Sequence, residues 1–123
     1  MQIKVIWITG GSSGIGFATA KKFLANQWTV VVSSSNNKKL QNAKERLAKE
    51  EFSQNFHTLK CDISDKNEVK NTVLNIKKKF GGINIALLNA AAYSPNKNQE
   101  FDINNYELLI DVNLKGTLYC INV

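Results

Sequence analysis

A chain of 123 residues with a net charge of +6 supports one domain, residues 1–123, and leaves no room for two. Hydrophobic residues make up 43% and charged residues 21%, as in ordinary globular proteins, and one Pro and seven Gly exclude collagen-like and low-complexity chains. No apolar run approaches the roughly 20 residues of a membrane helix, and the N-terminus enters a strand-like run without a basic leader, so neither a membrane partner nor a signal peptide is expected.

Ile3 to Ile8 is short, β-branched and nearly continuous, the pattern of a strand buried on both faces. Gly10 to Gly14 then form a turn, and a helix is predicted from about Ile15 to Asn26, with Ile15, Ala18, Phe23 and Leu24 on or near its inner face. Thr29 to Val32 is a second strand, and Ser33 to Asn37 read as a loop that offers helix N-caps. Leu40, Ala43 and Leu47 repeat at helical spacing up to about Glu51, and Phe56 to Cys61 is a third strand. Ser64 and Asp65 can cap the next helix, with Glu68 at capping-box spacing from Asp65. Val69, Val73, Ile76 and Phe80 mark that helix's buried face, and Gly81-Gly82 end it. Ile83 to Leu88 is a fourth strand, Asn89 to Ile103 a loop, and the last helix runs from about Asn104 to near the end, with Ile110, Leu114, Leu118 and Ile121 on one face. Strands alternating with helices argue an α/β protein with a parallel sheet and right-handed crossovers.

Charge is uneven. Residues 1–99 carry fifteen basic and six acidic residues, net +9, and residues 100–123 carry four acids and Lys115, net −3. A basic front half suits a partner with phosphates. Arg46 is the only Arg and no aromatic residues interleave the lysines, so a nucleic-acid partner is not expected. Lys77, Lys78 and Lys79 fit a solvated helix C-terminus. Cys61 and Cys120 lie far apart in sequence, so neither a disulfide framework nor a metal cluster is expected, and reduced thiols in a cytoplasmic protein are.

The strongest signal is Thr9-Gly10-Gly11-Ser12-Ser13-Gly14-Ile15-Gly16, which follows the first strand and opens the first helix. A phosphate can approach main-chain N–H groups at a helix N-terminus only where side chains do not block the way, and some turn positions need positive φ. Gly10, Gly14 and Gly16 meet both needs, the last also letting the helix pack on the strand, while Ser12 and Ser13 add hydroxyl donors. No Gly-Lys-Ser/Thr follows, so a nucleotide-hydrolysing P-loop is not supported.

This turn resembles the cofactor motif of the short-chain dehydrogenase/reductase family. Three further stretches match in order: Cys61-Asp62-Ile63, Leu88-Asn89-Ala90-Ala91, and Asp111-Val112-Asn113-Leu114-Lys115-Gly116. The resemblance covers essentially the whole chain and implies a Rossmann-like, doubly wound parallel sheet, here truncated to about four strands in the order 3-2-1-4. It implies an oxidoreductase that moves a hydride between NAD(P) and an alcohol or carbonyl substrate. Gly10, Ser12, Ser13, Gly14, Ile15 and Gly16 would hold the diphosphate, Asp62 and Ile63 the adenine, and Asn89, Ala90 and Ala91 the ribose side. Asn113 would take part in catalysis through a main-chain carbonyl that holds a relay water. Two positions depart from the family pattern: Leu88 replaces an Asn and Ala91 a Gly, the latter crowding the ribose side. A non-catalytic dinucleotide-binding module carries the same residues and stays open as the alternative.

An NAD-selecting site places an acid on the ribose 2′-hydroxyl about 20 residues past the glycines. Phe17 to Lys44 contain no acid; Ser33, Ser34 and Ser35 stand there instead, followed by Lys38 and Lys39. With Ser34, Ser35 and Lys38 as the residues that would accept a 2′-phosphate, NADP is favoured over NAD.

The resemblance also implies a Ser, a Tyr and a Lys beyond the segment of Asn113, and the chain stops at Val123 before them, so the 123 residues alone are expected to be inactive. Tyr93 and Lys97 have Tyr-x-x-x-Lys spacing, but Pro95 between them disfavours the helical turn that would stack the pair. His57, the only His, sits in a predicted strand without ligand-spaced neighbours and reads as structural. The fourth strand would be an open edge, so self-association is expected, with a dimer through residues 104–122.

Overall fold

The computed structural model describes residues 3–92 and 101–123. The elements are β1 (Val5–Thr9), α1 (Gly14–Ala25), β2 (Thr29–Ser34), α2 (Asn37–Leu47), β3 (Phe56–Lys60), α3 (Lys66–Phe80), β4 (Ile85–Leu88), α4 (Ile103–Leu109), a π-helical stretch Ile110–Gly116, and α5 (Thr117–Ile121). The strands form one parallel sheet in the order β3-β2-β1-β4, the predicted Rossmann-like order, with Ile6 opposite Val30 on one side and Ile85 on the other.

The near-continuous apolar run of β1 is explained by its central place. Ile6 and Ile8 pack with Val30 and Val32 against α1 and α2, while Val5, Trp7 and Val31 face α3 and α5. Leu40, Ala43 and Leu47, and Val69, Val73 and Ile76, supply the helical sides of these two layers as their spacing predicts. Among the described residues no helix is long and apolar enough to cross a membrane.

Several boundaries and faces differ from the sequence expectation. β2 runs on through Ser33 and Ser34 instead of ending at Val32. The two serines read as loop, but their main chain is paired on both sides: the Ser33 carbonyl accepts from the Gly10 N–H at 2.8 Å and the Ser34 carbonyl from the Cys61 N–H at 2.9 Å. The inward side of α1 is Gly16, Phe17, Ala20 and Leu24, not Ile15 and Ala18; Ile15 is 79% exposed. β4 begins at Ile85 because Asn84 turns its side chain into the ladder, its Oδ1 accepting from the Val5 N–H at 2.7 Å. Asp65 caps α3, but Glu68 does not complete the capping box: its Oε1 accepts from the Asp62 N–H at 3.4 Å, while the Asp65 N–H donates to the Asp62 carbonyl. The last helix is not one regular α-helix, since the π-helical stretch interrupts it. It packs through Val112, Gly116, Tyr119 and Cys120, so the stripe of Ile110, Leu114, Leu118 and Ile121 is 48–66% exposed.

Candidate functional site

A cleft of about 500 Å³ opens at the C-terminal ends of the strands, where β1 and β4 feed their loops to opposite faces of the sheet. Ligands of open α/β sheets bind in this place.

Its floor is the glycine turn. Gly10 and Gly14 have φ of +65° and +58°, the left-handed region that favours glycine. A Cβ on Gly10 would lie 2.8 Å from the Ala90 Cα, and one on Gly16 2.6 Å from the Asn89 Nδ2 and 2.7 Å from the Gly10 carbonyl. Gly14 is different: a Cβ there meets no protein atom within 4 Å. Ser13, the α1 N-cap, makes no side-chain capping bond. The first-turn N–H groups of α1 are therefore left for a bound anion, favoured by the helix dipole. Gly11, not singled out from sequence, is required by packing, since a Cβ would lie 2.6 Å from the Val32 Cγ1.

One wall comes from the ends of β2 and β3. Ser34, Ser35 and Asn36 line it with Lys39. Lys38 lines a separate surface depression instead. The Asn36 Oδ1 accepts from the Lys39 N–H at 3.0 Å and so fixes the phase of α2; one residue of helix then turns Lys38 away from the cleft. Asp62 and Ile63 line the cleft with Cys61, and the Asp62 Oδ1 accepts from the Ser64 N–H at 3.0 Å and the Ser64 hydroxyl at 2.7 Å.

Asn89, Ala90, Ala91 and Ala92 form the opposite wall, closed by Leu108 and Val112. Thr9, 1% exposed, holds it: its Oγ1 accepts from the N–H groups of Asn89 and Ala90, each at 3.0 Å. The Asn89 side chain donates to the Gly10 carbonyl at 3.1 Å, so turn and wall are locked together. Asn113 does not line the cleft. Its amide pairs with the backbone of Ala92, Oδ1 accepting from the N–H at 2.7 Å and Nδ2 donating to the carbonyl at 2.9 Å. The Asn113 carbonyl accepts from the Thr117 hydroxyl at 2.8 Å.

Of the residues expected at the site, Gly10, Ser12, Ser13, Ser34, Ser35, Asp62, Ile63, Asn89, Ala90 and Ala91 line one cleft. Gly14, Ile15 and Gly16 stand at the helix tip behind its rim, while Lys38 and Asn113 lie outside it. Asn36, Ala92, Leu108 and Val112 also line it and were not anticipated there, nor was the support that Thr9 gives the wall. Thr9 leaves a readable signal, a hydroxyl directly before the first glycine at a strand end; Leu108 and Val112 reach the cleft only through tertiary packing. Tyr93, Pro95 and Lys97 lie outside the described residues. His57, half-buried on β3 with its ring 4.7 Å from that of Phe80, is remote from the cleft lining, and its pKa lies below the ordinary 6.5 because of burial and the nearby Lys79 and Lys44. No group of three or more metal-ligating side chains occurs among the described residues.

A model of the short chain dehydrogenase family matches residues 4–123. The chain belongs to that family. The crystal structure of a short chain dehydrogenase from Bacillus anthracis str. 'Ames Ancestor' matches with a TM-score of 0.88 at 32% identity, covering 97% of this chain and 47% of that one. ElxO with NADP bound matches with a TM-score of 0.86 at 27% identity, covering 98% and 48%. An uncharacterised oxidoreductase of Staphylococcus saprophyticus is 37% identical over 123 residues, 99% of this chain and 52% of the relative. One of Staphylococcus aureus (strain USA300) is 32% identical over 116 residues, 94% and 48%. The chain thus spans about half the length of the curated relatives it matches.

Proposed function

We propose that this chain is the cofactor-binding half of an NAD(P)-dependent oxidoreductase acting on an alcohol or carbonyl substrate. The observation that carries the reading is the tip of α1 behind the cleft's rim, where Ser13 makes no side-chain cap and Gly14 leaves open space in front of the first N–H groups. A diphosphate there would accept main-chain hydrogen bonds and the dipole's favour. Asp62 would accept from the adenine amino group, its carboxylate being already oriented by Ser64. Asn89, Ala90 and Ala91 would border the nicotinamide-side ribose. The bound nicotinamide would supply the hydride acceptor or donor. Asn113, by clamping Ala92, positions that wall, and its carbonyl would help hold a water.

NADP is the preferred form. Ser34, Ser35, Asn36 and Lys39 offer hydroxyls, an amide and a cation at the end of the cleft beside β2, and no acid stands there to repel a 2′-phosphate. ElxO, a structural neighbour, is recorded with NADP bound. The exposed stripe of Ile110, Leu114, Leu118 and Ile121 supports self-association, and two cysteines held as thiols suit a cytoplasmic setting.

Titration of the purified chain with NADPH and NADH, read by energy transfer from tryptophan to the dihydronicotinamide, tests this. Trp7 is well placed as donor, because its Nε1 donates at 3.0 Å to the Oγ of Ser33, which lines the cleft. Saturable transfer with NADPH the tighter ligand is expected. Absence of transfer from either nucleotide up to millimolar concentration would overturn the reading.

A further inference from the structure

The two cysteines, remote in sequence, share one buried cluster beneath the cleft, together with Ile63 and Val69. Their register can be worked out. Leu59, Cys61 and Ile63 pack on the α3–α5 side, in the cluster that also holds Cys120. The chain from Leu108 to Cys120 starts at the cleft, by the C-terminal ends of the strands, and runs back along the sheet, antiparallel to β3. Gly116 rests directly on Ile63: a Cβ there would lie 2.7 Å from the Ile63 Cγ1 and 3.1 Å from its carbonyl. From that contact, four residues onward along the helix reach Cys120, about 6 Å away. Cys61 stands two residues before Ile63, just past the end of β3. Both thiols are thus within a few residues of the same Gly116–Ile63 contact and pack in the same buried cluster.

We propose that Cys61 and Cys120 are an intramolecular disulfide site, closed by a small peroxide, that staples the last helix to the end of β3 under the cleft. Cys61 is the entry point, because it alone of the two lines the cleft. Burial pushes the Cys61 thiol up, a hydrogen bond from the Thr72 hydroxyl pulls it down, and the nearby Glu68, Asp62 and Asp65 carboxylates raise it again. Burial, and then the neighbouring Cys61, push Cys120 up to about 11, so the first attack falls to Cys61. The Cys61 thiolate attacks one oxygen of hydrogen peroxide, the O–O bond breaks, and a sulfenic acid and water result. Cys120 then attacks the sulfenic sulfur, the S–O bond breaks, and a second water leaves with the thiol proton. Two thiols lose two electrons and two protons in all, and two peroxide molecules are not needed: one peroxide is reduced to two waters.

The test treats the purified chain with hydrogen peroxide, blocks remaining thiols under denaturing conditions, and maps peptides without reduction. A Cys61–Cys120 cross-linked peptide, a mass loss of two hydrogens per chain, reversal by dithiothreitol and a higher melting temperature for the oxidised monomer are expected. Cys120→Ala should leave Cys61 as a sulfenic acid that dimedone traps, and Cys61→Ala should leave Cys120 unreacted over the same interval. Two cysteines that both remain alkylatable, that oxidise separately to sulfinic acids, or that cross-link only between chains would overturn the proposal.

Discussion

Gly14→Ala separates binding from folding more cleanly than any other change in the glycine turn. The added methyl meets no protein atom within 4 Å, so its folding cost is the positive φ of +58° alone. Holding an L-residue in that region costs about 1–2 kcal/mol. An unfolding entropy of about 2.1 cal/mol/K per residue, over 123 residues, makes each kcal/mol worth roughly 4 °C. The variant should therefore fold and melt about 4–8 °C lower. The open space that spares the fold is the space a diphosphate would occupy, so the methyl holds the anion off the N–H groups. Loss of at least tenfold in NADPH affinity, about 1.4 kcal/mol, is expected in the tryptophan-transfer titration. A variant that melts as foreseen yet binds NADPH within twofold of the parent would refute the assignment of the α1 tip as the diphosphate site. Gly16→Ala cannot serve, because its clashes with Asn89 and Gly10 would damage turn and wall together.

Lys39→Glu should weaken NADPH about tenfold relative to NADH, while Lys38→Glu, on the far side of the helix, should change that ratio less than twofold; equal effects would remove Lys39 from 2′-phosphate recognition. His57 has a folded-state pKa below its ordinary 6.5, so below pH 6.5 the unfolded chain takes up a proton that the folded chain resists. Stability should be full above that pH and fall as pH drops toward the lower folded value, and His57→Gln should flatten the dependence in melts from pH 7.5 to 5. Static light scattering should find a dimer at tens of micromolar, and Leu114→Glu, in the exposed stripe, should shift it to monomer without lowering the melting temperature.

The architecture was readable because its signals are local. The β-branched run before the glycines marks a central parallel strand, and Leu40-Ala43-Leu47 and Val69-Val73-Ile76 mark helix faces in chain order. What escaped depends on partners distant in sequence. Ser33 and Ser34 look like loop residues until Gly10 and Cys61 pair with their carbonyls and Trp7 with the Ser33 hydroxyl. Ile15 looks like a core residue, yet Gly16 and Phe17 set the face of α1. A regular period of 3.6 across residues 104–122 has no means of announcing the π-helical stretch, where Asn113 is drawn toward Ala92. At the site the glycine turn and Asp62, which meet at the cleft, were legible as motifs. That Lys39 and not Lys38 lines the cleft depends on the phase of α2, which the Asn36 cap sets.

Three short polar side chains organise the cleft by capturing backbone rather than ligand: Thr9 holds Asn89 and Ala90, Asn89 holds Gly10, and Asn113 holds Ala92. The opposite wall is thereby tied both to the glycine turn and to the last helix, and a cofactor would meet a surface already ordered. Thr9 is the member whose removal is simplest to read, because Val keeps its shape in a site 1% exposed to solvent while deleting the acceptor of two N–H groups. Leaving such donors without a partner costs about 1–3 kcal/mol, and the Ala90 N–H bears most of it, since the Asn89 N–H also reaches the Leu87 carbonyl at 3.1 Å. Thr9→Val should melt several degrees lower and bind NADPH more weakly although it touches no ligand, and Thr9→Ser should recover most of both. If Thr9→Val loses stability but keeps full affinity, the wall is held by Asn113 alone and the tie through β1 serves the fold only.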